Sequence, residues 1–259
     1  MPVKVVAVVV CHGHGDVVRD TGLLGNLVAQ GIHVLCLDNT GSDIILKEEC
    51  ELNEITLIGN SIPRGLSQNI NLCVGKLDVQ SDVRNLLLLI NPDVIIENSL
   101  LVAIKRSVEN IFPAICGFEI ADNKQTSLLR NPLTPLQLLK AFMVRSFNLS
   151  FAKECASLGN TYNVNGCALL CDLTLFNSIS GFDERFYLYC EDVDFVDRAC
   201  AKIGLRGPRI IWGTRIHHLG GYASRKLFSR AFRLHVTSLV KYFLKRYRAR
   251  ILNWWSTSA

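Results

Sequence analysis

The sequence contains no acidic residue after Asp197. Residues 198–259 carry 14 Lys and Arg and no Asp or Glu, whereas residues 1–197 carry 14 Lys and Arg against 23 Asp and Glu. The formal net charge of +5 therefore combines an acidic main part with a strongly basic tail. Such a tail predicts an anionic partner, for which phospholipid head groups, a phosphorylated substrate and nucleic acid are the three candidates.

Long apolar runs are also missing. No stretch reaches the roughly 18–20 apolar residues that a membrane-spanning helix needs. The apolar run at residues 5–11 is too short to span, and it lacks the cleavage pattern of a signal peptide. We therefore expect any membrane association to be peripheral.

The ten cysteines include no CxxC pair. Most of them lie inside apolar runs, which predicts reduced core thiols in a cytosolic compartment. A zinc site is the alternative, but the spacing of zinc ligands is absent.

Patterns of buried strands occupy the first hundred residues. Four β-branched or Leu-rich runs have the composition of strands covered on both faces, at residues 3–10, 32–37, 55–58 and 86–90. Crossover helices are predicted between and after them, at residues 16–30, 66–77 and 99–110. This alternation predicts an α/β fold with a doubly wound, mainly parallel sheet.

Further elements are predicted in the second half. A loop at 123–135 precedes a helix at 136–151, and a strand at 164–170 is followed by helices at 191–203 and 227–252. We expect a catalytic domain over residues 1–224 and a basic amphipathic helical tail over residues 225–259.

Polar residues follow three of the predicted strands, at 11–14, 38–43 and 91–93. In a doubly wound sheet, ligands bind beyond the carboxyl ends of the strands. Asp93, held behind Pro92, is well placed there to bind a divalent cation against a diphosphate. An ordinary turn with an Asp cap is the alternative interpretation of this tripeptide.

The stretch at 180–194 is more specific, because it places aromatic residues among five carboxylates. Glu191 and Asp192 would open a helix, where the positive end of the helix dipole stabilises anions. A capping cluster would need only one or two acids, so the stretch predicts a functional site.

Together these motifs resemble the glycosyltransferase family 2 enzymes, which are inverting transferases of the GT-A fold, and most closely the O-antigen rhamnosyltransferases. The similar segments span nearly the whole chain in family order. They are residues 8–14, 38–39, 65–71, 91–93, 164–166, 181–184, 189–194, 198, 216–217 and 228–235.

The resemblance implies transfer of L-rhamnose from a nucleotide-sugar donor, dTDP-L-rhamnose, to a polyprenyl-diphosphate-linked saccharide during O-antigen synthesis. The implied location is the inner face of the plasma membrane, and the implied cofactor is a divalent cation, Mg²⁺ or Mn²⁺. A UDP-hexose donor is the alternative, because the motifs contact the nucleotide and diphosphate more than the sugar.

The resemblance also implies individual roles. Asp192 stands at the position of the general base with Glu191 beside it, and Asp93 and His217 stand at the metal position. His218 adjoins His217 and leaves the choice of histidine open, while Asn91 replaces the first Asp of the DxD motif found in many GT-A enzymes. The implied donor-binding residues are His12, Asp38, Asn39, Gly65, Asn71, Asp93 and Arg198.

Two other classes of protein, a Rossmann dehydrogenase and a nucleic-acid-binding module, match the sequence less well. A Rossmann dehydrogenase needs GxGxxG after the first strand, and residues 13–15 supply only GxG. A nucleic-acid-binding module would need exposed stacking aromatics, whereas those of the tail fall on a helical apolar face. We therefore expect no nucleic-acid partner.

The tail predicts an amphipathic helix lying on the anionic membrane surface. Its apolar residues recur at three- and four-residue spacing, at positions 228, 232, 236, 239, 240, 243 and 247. The basic side predicted to meet lipid phosphates or the acceptor includes Arg230, Arg233, Lys241 and Lys245. The alternative is that the apolar face packs on the catalytic domain.

Overall fold

The computed structural model describes residues 2–78, 82–97, 99–120, 166–220 and 229–257. The strands in these ranges are β1 (Val3–Cys11), β2 (His33–Asp38), β3 (Thr56–Gly59), β4 (Arg84–Ile90), β5 (Val94–Ile96), β6 (Ile115–Ile120), β7 (Ala168–Asp172) and β8 (Arg209–His218). The helices are α1 (Gly15–Thr21), α2 (Leu23–Ala29), α3 (Ile44–Leu52), α4 (Leu66–Val74), α5 (Leu100–Val108), α6 (Leu173–Ser178), α7 (Glu191–Lys202) and α8 (Arg230–Thr257).

The strands form one mixed sheet in the order β3-β2-β1-β4-β7-β6-β8-β5. Strands β1 to β4 are mutually parallel where they pair, as the sequence predicts. In the second half, β7 runs antiparallel to β4 and β6, β8 is parallel to β6, and β5 is antiparallel to β8. The α/β fold class predicted from the sequence is confirmed.

The alternating side chains of β1 divide the core between the two faces of the sheet. Val5, Ala7 and Val9 pack with α1, α2, α3 and α5, whereas Val8 packs with α4, α6 and α7. Successive side chains of β1 alternate between the two faces of the sheet, and helices cover both faces. The whole strand is therefore apolar in sequence.

The strand register aligns the strand ends at one edge of the sheet, which we call the ligand edge. Cys11 pairs with Asp38, and Asp38 pairs with Gly59, so the first three strands end at the same level. Antiparallel β7 begins at this edge, because Ala168 pairs with Ile90. Residues after β1, β2, β3 and β4 therefore meet the residues before β7.

Several local predictions needed correction. The single helix predicted at 16–30 is broken at Gly22, whose φ of 61° ends α1 and begins α2. Helix α3 was missed; it is capped by Asp43, whose side chain accepts a hydrogen bond from Leu46 N. The loop predicted at 123–135 and the helix predicted at 136–151 lie outside the described residues.

Cysteines in the described ranges are free and buried, as the sequence predicts. Cys155 falls outside those ranges. Among the helices described, none combines the length and hydropathy needed to cross a bilayer.

Candidate active site

The turn after β2 is organised by Asp38, a predicted donor-binding residue that the structure buries. One carboxylate oxygen accepts hydrogen bonds from Thr40 N and Thr40 Oγ1 at 2.8 and 2.6 Å, and the other accepts one from Asp43 N at 2.9 Å. Burial alone would raise the pKa of Asp38, but these hydrogen bonds outweigh it and lower the pKa. Asp38 therefore shapes the turn that a ligand would meet.

Asn39 connects the turn after β2 to the start of α4. Its Oδ1 accepts hydrogen bonds from Asn60 Nδ2 at 2.9 Å and Arg64 N at 2.8 Å, and its Nδ2 donates to Arg64 O at 2.9 Å. Asn60 Nδ2 also donates to Asn69 Oδ1 at 2.8 Å. This buried amide network fixes the loop at 60–65 against the ligand edge.

Gly65 allows α4 to approach the acidic stretch. A Cβ at this position would lie 2.9 Å from the Cα of Tyr187, and Leu66 N donates to Tyr187 O at 2.8 Å. Any larger residue would push these two backbones apart. Gly65 thus has a steric role here.

Asp93 lies at the end of the sheet beside His218. Asp93 Oδ1 and His218 Nε2 are 3.2 Å apart, and both side chains are 22% exposed. Asp93 Oδ2 also accepts a hydrogen bond from Gly220 N at 3.2 Å. His217 points to the other face of β8, where it contacts Glu97. The structure thus brings His218, and not the predicted His217, to Asp93.

Asp93 and His218 fit a divalent-cation site in which the substrate supplies the remaining ligands. No group of three or more His, Cys, Asp or Glu side chains able to hold a metal occurs in the described part of the chain. A carboxylate oxygen and an imidazole nitrogen at 3.2 Å could still face one ion from neighbouring corners. Mg²⁺ in particular is commonly held by one or two carboxylates together with substrate phosphates and waters.

The predicted catalytic pair opens α7. Asp192 is half-buried, and Gly166 makes room for it, because a Cβ at 166 would lie 2.3 Å from Asp192 Oδ2. Asp192, Glu191, Asn91 and Gly166 line a cavity of about 30 Å³ together with apolar residues of β1 and β4. A cavity needs roughly 10–15 Å³ of such space to hold a water, so this one has room for at least one water or hydroxyl group.

Glu191 differs from Asp192 in its surroundings. Its side chain is buried, and its Oε2 has no hydrogen-bond partner among the described residues. Burial, and then the charge of Asp192, raise the pKa of Glu191 to about 8. Burial thus disfavours the ionised form of Glu191, which makes the half-buried Asp192 the better candidate for the proton acceptor of the pair.

Asn71 and Arg198, which are predicted to bind the donor, clamp residues 179–190, which we call the carboxylate loop. Asn71 Nδ2 donates to Phe182 O at 2.9 Å, and its Oδ1 accepts from Phe182 N at 2.9 Å. Arg198 donates to Ile179 O at 2.7 Å and Gly181 O at 2.8 Å. It also pairs with Asp194 at 2.8 Å. The structure directs both side chains to this loop.

The tail residues divide into two groups. Lys241 Nζ donates to Arg185 O at 2.7 Å, and Lys245 Nζ pairs with Asp183 at 2.7 Å and Asp194 at 2.5 Å. Arg230 and Arg233 are exposed. Lys241 and Lys245 are thus engaged within the protein, and the assignment of the four cations to the acceptor or the membrane stays a prediction. The signal missed in the sequence was the acidic stretch itself, which offers Lys241 and Lys245 their partners.

His12 lies directly after β1 and is exposed, and its backbone N–H donates to His14 Nδ1 at 2.9 Å. It stays at the ligand edge, as the sequence predicts from its position after the strand. Its assignment to the donor stays a prediction.

Several solved structures that share this fold are glycosyltransferases. The chain is similar to the mannosyltransferase PcManGT from Pyrobaculum calidifontis in complex with GDP-Man and Mn²⁺, with a TM-score of 0.60 and 14% identity, over 96% of this chain and 65% of that one. It is also similar to glucosyl-3-phosphoglycerate synthase from Mycobacterium tuberculosis in complex with Mn²⁺, UDP and glucosyl-3-phosphoglycerate, with a TM-score of 0.55 and 11% identity, over 84% and 72% of the two chains.

A third structure, S. aureus TarS, gives a TM-score of 0.54 and 12% identity over 85% of this chain. The chain spans 37% of TarS and 65% of the mannosyltransferase, which is less than two thirds of either structure's length. At these identities the similarity shows the fold.

Fold and sequence similarity together make the chain a glycosyltransferase with the GT-A fold. In sequence the chain is similar to Rhamnosyltransferase WbbL of Escherichia coli (strain K12), with 29% identity over 256 residues, covering 92% of each protein. No protein-family model matches the chain.

Proposed function

We propose that this protein is an inverting rhamnosyltransferase that transfers L-rhamnose from dTDP-L-rhamnose to a lipid-linked saccharide. The observation that carries the proposal is the half-buried Asp192 carboxylate, which lines a small cavity at the ligand edge. The similarity to Rhamnosyltransferase WbbL supports rhamnose as the sugar.

The proposed reaction is a single displacement. The acceptor hydroxyl oxygen attacks the anomeric carbon, the bond from that carbon to the diphosphate breaks, and the nucleoside diphosphate leaves with the electron pair. Asp192 takes the proton of the hydroxyl as general base. Burial favours the neutral form of Glu191, which would limit the negative charge beside the base.

The donor would lie across the ligand edge. The turn at 38–43, shaped by Asp38, would face the nucleotide, and Asp93 and His218 would hold a divalent cation at the diphosphate. When bound, the cation would neutralise charge on the leaving diphosphate. Mn²⁺ accompanies the nucleotide in the mannosyltransferase and the phosphoglycerate synthase structures, which supports such a cation here.

A donor comparison tests the proposed function. With lipid-linked N-acetylglucosamine diphosphate as acceptor, we expect dTDP-L-rhamnose to give nucleoside diphosphate release that requires Mg²⁺ or Mn²⁺. UDP-glucose, UDP-galactose and GDP-mannose should give far less. Faster release from a UDP-hexose would replace rhamnose by the alternative donor, and release from none of them would contradict the proposed reaction.

The exposed face of α8 supports peripheral contact with an anionic membrane. Four apolar side chains on this face are exposed, namely Val236, Val240, Leu244 and Tyr247. Arg230 and Arg233 lie near its beginning and are also exposed. An exposed apolar stripe beside cations is typical of helices that lie in the membrane interface.

We expect the double variant Arg230→Glu with Arg233→Glu to lose binding to anionic vesicles. Each Lys or Arg near such a surface contributes on the order of 1 kcal/mol, so the binding constant should fall at least about tenfold. Co-sedimentation with vesicles containing anionic lipid measures this. Lys47→Glu is the matched control, since Lys47 lies on α3 in an exposed pair with Glu51. Equal binding of all three proteins would exclude α8 as the membrane contact.

A further inference from the structure

One face of α8 is bonded to the carboxylate loop and to α7. Its polar side chains there recur at positions 238, 241, 242 and 245, the spacing that places residues on one helical face. The hydrogen bonds are Ser238 Oγ to Leu188 O at 2.7 Å, Lys241 Nζ to Arg185 O at 2.7 Å, Tyr242 OH to Asp197 Oδ2 at 2.5 Å, and Lys245 Nζ to Asp183 Oδ2 at 2.7 Å, while Lys245 also pairs with Asp194 Oδ1 at 2.5 Å.

Apolar packing reinforces the same contact. The buried ring of Tyr242 packs with Phe186, Cys190 and Val193, which lie in the loop and in the first turn of α7. Leu239 and Phe243 pack around this cluster. The contact therefore has its own small core next to the catalytic carboxylates.

The loop needs this support because its last two residues are strained. Tyr189 and Cys190 have φ values of 70° and 63°, in the left-handed region that non-glycine residues rarely adopt. Such conformations cost on the order of 1–3 kcal/mol each and persist where the surrounding contacts determine them. The strained pair directly precedes Glu191 and Asp192. Its conformation therefore sets the orientation of both carboxylate side chains at the start of the helix.

Lys245 has the central position in this contact. It joins Asp183 of the loop to Asp194 of α7, and the two acids lie on opposite sides of the catalytic pair in the chain. Arg185 lowers the pKa of Asp183 most, and Lys245 lowers it further against the opposing effect of burial. Asp194 is buried and is shared between Lys245 and Arg198.

We propose that α8 belongs to the catalytic apparatus and that Lys245 is a positioning residue, which holds the carboxylate loop so that Asp192 faces the acceptor hydroxyl. This inference rests on the proposed role of Asp192 as general base. It gives the basic tail a function separate from membrane contact, because Lys241 and Lys245 are engaged by the carboxylate loop and α7.

The test is Lys245→Met, which keeps most of the length of the side chain and removes its charge. Misplacing a reacting group by about 1 Å can cost on the order of 10²-fold in rate. We expect kcat per folded enzyme, with the folded fraction measured by circular dichroism, to fall about 10- to 100-fold, while the KM for the donor changes less than about threefold. Lys245→Arg should restore most of the rate because it keeps the charge between the two acids.

Two further variants make the result decisive. Ser238→Ala removes only the bond to Leu188 O and should lower kcat in the same direction by a smaller factor, even if Lys245→Met folds poorly. Lys47→Met removes a lysine from an exposed pair far from the loop and should leave kcat unchanged.

A combination with Asp192→Asn separates positioning from a general structural role. If Lys245 acts through Asp192, then adding Lys245→Met to Asp192→Asn should lower the residual rate by less than about threefold. Full additivity of the two losses, or an unchanged kcat in Lys245→Met, would overturn the positioning role. An active Asp192→Asn enzyme would instead contradict the proposed function, so the two failures are distinguishable.

Discussion

The Asp192→Asn enzyme is expected to bind the nucleotide-sugar donor almost normally and to turn over about 10²–10⁴-fold more slowly. Losses of this size are typical when a general base is removed. Donor binding should persist because a base acts in the transition state more than in the ground state. Titration calorimetry with the donor and a nucleoside-diphosphate release assay measure the two quantities separately.

Glu191→Gln is the matched comparison. Burial and the charge of Asp192 raise the pKa of Glu191 and so favour its neutral form, and glutamine has nearly the same shape and charge as that form. We therefore expect this variant to keep much more activity than Asp192→Asn. An inactive Glu191→Gln beside an active Asp192→Asn would reverse the two roles.

The Asp93→Ala enzyme is expected to lose metal-dependent donor binding while remaining folded. A Lewis acid at the leaving group contributes several kcal/mol, so turnover should fall about 10²–10³-fold. Donor affinity is measured with and without Mn²⁺, and the melting temperature without donor reports folding. If the gain in affinity from Mn²⁺ is the same in the variant and the wild type, Asp93 does not hold the ion.

The two adjacent histidines provide an internal control for this experiment. His218 lies 3.2 Å from Asp93, whereas His217 contacts Glu97 on the other face of β8. His218→Ala should therefore weaken Mn²⁺-dependent donor binding, and His217→Ala should leave it close to the wild-type value. The reverse order would restore the assignment made from the sequence.

Much of the first half of the fold was predictable from the sequence because the signals there are local. The runs at β1, β2 and β4 are apolar on both faces, and such runs form parallel strands only where helices cover both sides. The ligand edge followed from the same reasoning, since residues after parallel strands meet at one edge. Helix α7 was also predictable, because its first turn is rich in acids.

The second half of the sheet was less predictable. Strands β6, β7 and β8 pair across large separations in sequence, and an antiparallel partner for β4 has no local signature. The broken helix at Gly22 and the short α3 depend on a single left-handed residue and a single cap. Such features are weak in the sequence because they involve one residue each.

The sequence by itself determined the fold class, the residues collected at the ligand edge, and the acidic pair at the start of α7. These features depend on strand periodicity, turn-forming residues and charge, which are all properties of residues that are neighbours in the sequence. Only the tertiary structure decided which of these side chains contact each other. It placed His218 beside Asp93, because β8 pairs with β5 in a register that sends successive side chains to opposite faces. It also turned Lys241 and Lys245 toward the carboxylate loop, since helical spacing groups residues on a face but does not say what that face will contact.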